Sequence, residues 1–338
     1  MYRNTVVVVV AVLTFGLSLL VPVFAQTTLR FYCAYPEKTY TGQSTLFFAG
    51  EVARLTNNQV QVKVLWPGKD IKIGEVFDAV CRGDLEGYSG SLLYYAGKIP
   101  EVNCQWLPFN WANANEAKDV LLNKGYMNVM AEAVAKHGVT YLGALSAMNM
   151  GFLTKFPVTK VGDLKGKKIR SAGGILSEEA EALGAAAIDM SAPEQYDALK
   201  SGKLDGTDFP WYGVERYKLS EVVSYIAKPA LHTPGVIDIV VNTTVLKSLT
   251  PDQQQAVQKA AMSSMEQSFA LSDARDEDAL KKAESLGVKV SVISEFQLVK
   301  FRAAMKPLWN REAKKSPYSA KLVEILREHL RKSMGIEQ

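Results

Sequence analysis

Arg170 closes the basic run Lys167-Lys168-Ile169-Arg170 and is followed by the pair Gly173-Gly174. A guanidinium presents a rigid fork of donors that matches the two oxygens of a carboxylate, and nearby glycines let backbone come close to whatever the fork holds. The chemistry this spacing serves is capture of an organic acid. Aromatic side chains on segments between the regular elements, Tyr35, Tyr88, Phe209, Trp211 and Tyr212, supply flat apolar walls for such a site, and Trp211 is the one best placed to stack on a solute. Tyr94, Tyr95 and Phe152 read instead as core. Of the three histidines, His137 falls at a helix end and His329 on an amphipathic helix, which leaves His232 in a loop. Asp205 reads as a turn cap and Asp208 as a group orienting a ligand or a backbone amide.

Catalytic patterns are absent. There is no G-x-G-x-x-G fingerprint, no P-loop and no metal-spaced histidine pair, and Gly87-Tyr88-Ser89-Gly90-Ser91 misses the nucleophile-elbow spacing by one residue. The expectation is a binding protein and not an enzyme. A net charge of +4 over 338 residues, spread along the chain, is too weak a field for nucleic acid. Cys33, Cys81 and Cys104 allow one disulfide, with Cys81 and Cys104 as the pair, or three buried thiols.

These groups need elements to position them. Residues 1–25 carry Arg3, an apolar run from Val6 to Leu20, Pro22 and a small-residue end at Ala25, the pattern of a cleaved secretory signal. Beyond it, strands at 28–31, 60–65 and 85–88 alternate with helices at 44–55 and 73–82, a βαβ rhythm that predicts a parallel sheet covered by helices. A strand is expected at 105–109, one long helical region at 116–137, and a strand at 140–145. A second unit of the same style runs from Gly151 to Phe209, and Val236 to Val241 reads as a strand returning to the first. Thr250-Pro251 is a strong helix start, and with no proline or glycine before Gly287 one helix of about 50 Å is expected, with a break around Ser272-Asp273 as the alternative.

The Asp163-Leu164-Lys165-Gly166 and Ile169-Arg170 stretch, with Leu204-Asp205-Gly206, resembles the solute-binding proteins of TRAP (tripartite ATP-independent periplasmic) transporters, and its keto-acid members most in pattern. The resemblance implies a two-domain α/β periplasmic-binding-protein fold with a cleft between the domains and a long helix spanning both. Residues 26–149 plus 236–270 would form domain I, and 150–235 plus 271–338 domain II with the C-terminal helices. It implies that Arg170 pairs with the solute carboxylate, and that Asn149 stands where a glutamine contacts the ligand in the keto-acid members. Asp208 and Phe209 keep the acid-then-aromatic order of those members, whose further acid completes an ion site. Here that pattern reads His232-Thr233-Pro234-Gly235, so no cofactor is expected, with a bridging sodium or calcium ion as the alternative. Leu153 replaces a second arginine common in the family, which favours a keto, hydroxy or aromatic monocarboxylate over a dicarboxylate. The implied partners are that solute and the membrane permease subunits, and the implied location is the periplasm. Service to a sensor system, or enzymatic action on carboxylic acids, are the rival readings.

Overall fold

The computed structural model describes residues 26–68 and 71–335; the signal-peptide reading of residues 1–25 lies outside them. Eleven strands follow in chain order: β1 (Thr27–Cys33), β2 (Val60–Leu65), β3 (Gly87–Gly90), β4 (Val139–Ser146), β5 (Met150–Thr154), β6 (Lys168–Ser171), β7 (Ala186–Asp189), β8 (Gly206–Pro210), β9 (Tyr225–Lys228), β10 (Val236–Asn242) and β11 (Lys289–Val292). They divide between two sheets. One has the order β2-β1-β3-β10-β4 and the other β11-β9-β5-β8-β6-β7. In the first, β2, β1 and β3 run parallel while β10 lies antiparallel between β3 and β4. In the second, β8, β6 and β7 are parallel and β5 is antiparallel to both β8 and β9.

The helices are α1 (Tyr40–Leu55), α2 (Ile73–Arg82), α3 (Ala114–Asn123), α4 (Tyr126–Ala135), α5 (Ile175–Ala182), α6 (Gln195–Lys200), α7 (Gly213–Arg216), α8 (Thr243–Ser248), α9 (Pro251–Ala270), α10 (Ser272–Ser285), α11 (Glu295–Glu312) and α12 (Pro317–Met334). Among the described residues none is long and apolar enough to cross a membrane. Helix α9 begins as its sequence requires: the Thr250 hydroxyl accepts from Gln253 N–H, Gln253 reaches back to Thr250, and Pro251 fills the first turn.

Three expectations are corrected. The single helix after Thr250 is two, broken at Leu271 beside the β4–β5 crossing, where Ser146 N–H donates to Ser268 Oγ and the Ser146 and Ser272 hydroxyls lie 2.9 Å apart. The pair still spans both sheets, with α9 on α1 and β4, and α10 on α7 and β11. The expected strand at 105–109 is the end of a 3₁₀ segment, Pro100–Trp106, and the helical region at 116–137 divides into α3 and α4 around Gly125, whose φ of +80° suits glycine. Of the two arrangements left open for the cysteines, the structure has free thiols at all three, with Cys33 and Cys104 buried, Cys81 half-buried and the Cys104 thiol facing the Ser319 carbonyl.

Helix α12 packs on α4, α3 and the 3₁₀ segment, while α11 contacts both α5 and that segment. The chain passes between the sheets at 147–149, at 229–235 and at Leu271. Met148, in the first crossing, adopts a left-handed backbone with φ of +67°, held by the Ser146 hydroxyl and by Gly235 N–H.

Candidate functional site

A cavity lies between the two sheets. Tyr35, Ser91, Tyr94 and Trp106 come from segments on the side of the first sheet, and Arg170, Phe209 and Tyr212 from the second. The volume open to the centre of a water-sized sphere is about 20 Å³, room for roughly one water, so the cleft is shut. Close approach at its rim requires Gly174: a Cβ there would stand 2.5 Å from Asn103 Oδ1, the atom that accepts from Ile175 N–H at the start of α5.

Arg170 is the penultimate residue of β6, with only 1% of its surface exposed. Its Nε donates to the Met190 carbonyl at 3.0 Å and its Nη1 to the Asp208 carbonyl at 3.1 Å, while Phe209 lies 5.4 Å from the guanidinium carbon. Two backbone acceptors therefore fix the fork. The third nitrogen, Nη2, is buried without a partner, and so is Trp106 Nε1 on a neighbouring lining residue. Each unmade buried hydrogen bond costs about 1–3 kcal/mol. The cavity-lining residues thus carry two unsatisfied donors, and no carboxylate is among them. That wall suits an anion.

Behind Arg170 three more buried groups converge. Asp208 on β8, Glu179 on α5 and His232 between β9 and β10 present donor atoms that all lie within 4.8 Å of one another. His232 Nε2 is 3.1 Å from Glu179 Oε2 and 4.0 Å from Asp208 Oδ2. The short approach to Glu179 is close but poorly directed, since neither carboxylate nor the imidazole has a hydrogen-bond partner of good geometry. Burial opposes protonation of His232, yet the facing Glu179 and Asp208 charges outweigh it and raise its pKa. Burial and then the Glu179 charge push the Asp208 carboxyl up, against the pull of His232 and Arg170. The Trp106 ring covers His232 edge-on at 5.7 Å.

Residues 32–316 match the bacterial extracellular solute-binding proteins of family 7. The chain belongs to that family. It is 28% identical over 295 residues to YiiZ of Salmonella typhimurium, an uncharacterized protein, covering 84% of this chain and 86% of the relative. It is 26% identical over 261 residues to a monocarboxylate 2-oxoacid-binding periplasmic protein of Nostoc sp., covering 76% of this chain and 71% of that one. Among solved structures, a TRAP periplasmic solute-binding protein from Xanthobacter autotrophicus with bound β-D-galacturonate superposes with a TM-score of 0.80 at 25% identity, over 88% of this chain and 98% of that one. TRAP solute-binding proteins of family 7 therefore supply both the fold and the family of this chain.

Within this family 7 protein, the residues singled out from sequence fall into two groups. Tyr35, Arg170, Phe209 and Tyr212 line the cavity, and so does Tyr94, which the sequence reading placed in the core; Asn149, Asp208, Trp211, Tyr88 and His232 do not. Asn149 is held by its backbone, which donates to the Asp276 carboxylate and accepts from Trp211 N–H, at the crossing between the sheets. Trp211 is buried one residue past the end of β8, and its neighbour Tyr212 takes the wall position. Tyr88 is turned under the wall, donating to the Ser91 carbonyl at 3.0 Å. Asp208 and His232 join the buried cluster. Trp106 and Glu179 were not singled out. Glu179 sits in the charged run Ser177-Glu178-Glu179-Ala180-Glu181, which reads as a solvated helix face, and Trp106 carries no local signal.

Proposed function

We infer that this chain is a periplasmic receptor that holds one organic monocarboxylate, bearing a keto, hydroxy or aromatic group, against Arg170 and passes it to a TRAP membrane permease. The observation that carries this reading is the pair of buried, unpartnered donors on cavity-lining residues, Arg170 Nη2 and Trp106 Nε1. An anion supplies the acceptors that these groups lack, and desolvation strengthens the contact. One arginine lines the cavity, which favours one carboxylate, because a second buried without a partner costs several kcal/mol. Tyr35, Tyr94, Trp106 and Phe209 offer faces to a flat substituent, worth about 0.5–1.5 kcal/mol beyond burial. The Nostoc relative, named for 2-oxoacids, agrees in class.

The shut cavity has no room for such a solute, so entry requires the two sheets to part about the crossings at 147–149, 229–235 and 271. We assign the halves as domain I (26–149 and 236–270) and domain II (150–235 and 271–338), with α12 lying back on the first. A ligand that touches both domains stabilises the closed form by its differential affinity alone. The test is a thermal-shift and calorimetric series across keto, hydroxy, aromatic and four-carbon dicarboxylic acids. The expected result is one monocarboxylate binding tightest and raising the unfolding temperature as free ligand exceeds Kd. Succinate or malate binding at least roughly tenfold tighter than every monocarboxylate would overturn the assignment of class.

A further inference from the structure

We propose that Glu179, Asp208 and His232 form a binding site for one first-row divalent cation, with zinc as its best-suited occupant, separate from the solute cavity. The three side chains come from a helix, a strand and a loop, yet their donor atoms gather within 4.8 Å of one another. All three residues are at most 1% exposed. Both oxygens of Glu179, both oxygens of Asp208 and both ring nitrogens of His232 lack a well-formed hydrogen bond. Ionised carboxylates in that condition are costly, and a divalent cation neutralises two of them at once.

The spacing fits such an ion. Tetrahedral zinc with bonds of about 2.0–2.1 Å sets its ligand atoms roughly 3.3 Å apart, and His232 Nε2 stands 3.1 Å from Glu179 Oε2 and 4.0 Å from Asp208 Oδ2. One imidazole nitrogen with two carboxylates is a donor set for zinc or its first-row neighbours, whereas calcium takes six to eight oxygens. None of the three residues lines the closed cavity. The ion acts on the site from behind. Asp208 also accepts from Arg170 through its carbonyl, and with its carboxylate bound to metal the charge of Arg170 remains available to an anion. All three ligands belong to segments on the side of the second sheet, while Trp106, which covers His232, comes from the 3₁₀ segment Pro100–Trp106 across the cleft. Parting of the sheets uncovers the site, and that is the entry path for the ion.

The proposal is tested without solute, so its failure and failure of the solute assignment are read separately. Full-length mature protein is stripped with chelator, then titrated with Zn²⁺ by calorimetry and with Co²⁺ by visible absorption. One equivalent bound, an intense tetrahedral cobalt band, proton release on binding and a raised unfolding temperature are expected. Glu179→Gln and His232→Gln should each weaken zinc by roughly 100-fold or more, while His329→Gln, which alters the part-buried pair with Glu116 far from the cluster in sequence and fold, should leave the titration unchanged. If the two cluster variants fail to fold, the stoichiometry and cobalt spectrum of the wild-type protein still decide. Wild-type protein that binds no stoichiometric zinc, or a zinc site lost equally in His329→Gln, overturns the proposal. A histidine ring shown by NMR to be doubly protonated at saturating zinc overturns it as well.

Discussion

Replacing Arg170 by alanine is the perturbation that bears most directly on the proposed receptor. The side chain is fully enclosed, with Nε and Nη1 committed to the Met190 and Asp208 carbonyls and only Nη2 left for a solute. Truncation leaves the bound carboxylate buried with no charged partner, a loss of about 2–5 kcal/mol for a desolvated hydrogen-bonded charge pair. At 1.4 kcal/mol per tenfold, that weakens Kd by roughly 30- to 4,000-fold. Lysine keeps the charge but cannot hold two carbonyls and a solute with one ammonium, so Arg170→Lys should also lose at least about tenfold. Alanine additionally strips donors from two buried carbonyls, at a cost of about 1 kcal/mol each, so circular dichroism and the unfolding midpoint must accompany calorimetry with the tightest acid of the panel. Affinity within threefold of wild type, in a variant that keeps the native spectrum, would refute the assignment of Arg170 to the solute.

Two further outcomes follow from the same geometry. Trp106→Phe, which removes a lining indole and its unpartnered N–H, should weaken solute binding by roughly tenfold, while Trp211→Phe, behind the wall, should change it less than Trp106→Phe does; calorimetry on the pair that gives the reverse order would contradict the placement. Burial raises the Asp276 carboxyl to about 8, against the hydrogen bond from Asn149 N–H. Because the unfolded value is about 3.9, the folded chain holds an extra proton between roughly pH 4 and pH 8, so this group makes stability fall as pH rises through that window. Asp276→Asn mimics the protonated form: the midpoints of variant and wild type should be similar at low pH, and the variant should gain relative to wild type towards pH 8.5. Parallel profiles across the range would show that Asp276 does not titrate there.

Much of the frame was legible because it rests on local rules. The Thr250-Pro251 start, the βαβ spacing and the return of Val236 to the first sheet each follow from caps or periodicity within a few residues. Arg170 was legible by residue type and by the glycines after it. What escaped the sequence depends on packing between distant segments. No proline or glycine marks the break at Leu271; it coincides with hydroxyl contacts to Ser146 on another strand. Glu179 looks like its neighbours Glu178 and Glu181 until the fold buries it against His232. Trp106 reaches the cavity from a 3₁₀ segment that simple alternation reads as a strand. Whether Trp211 or Tyr212 faces the cavity turns on a single residue of register just beyond β8.

The position of β10 governs how this chain must assemble. In the first sheet β4 pairs with β10 alone, and β10 joins it to β3. A fragment ending at residue 149 therefore holds β2, β1 and β3 on one side and β4 on the other, with the central strand missing. The segment that supplies β10 comes only after the whole run from β5 to β9 has been made. Completion of the first sheet waits for the second unit to emerge, which raises the sequence separation of its key contacts and slows its closure. Until then the unpaired edges of β3 and β4 remain open to other chains, so a nascent or exported chain of this design benefits from being held unfolded until residue 242 has cleared the machinery that delivers it.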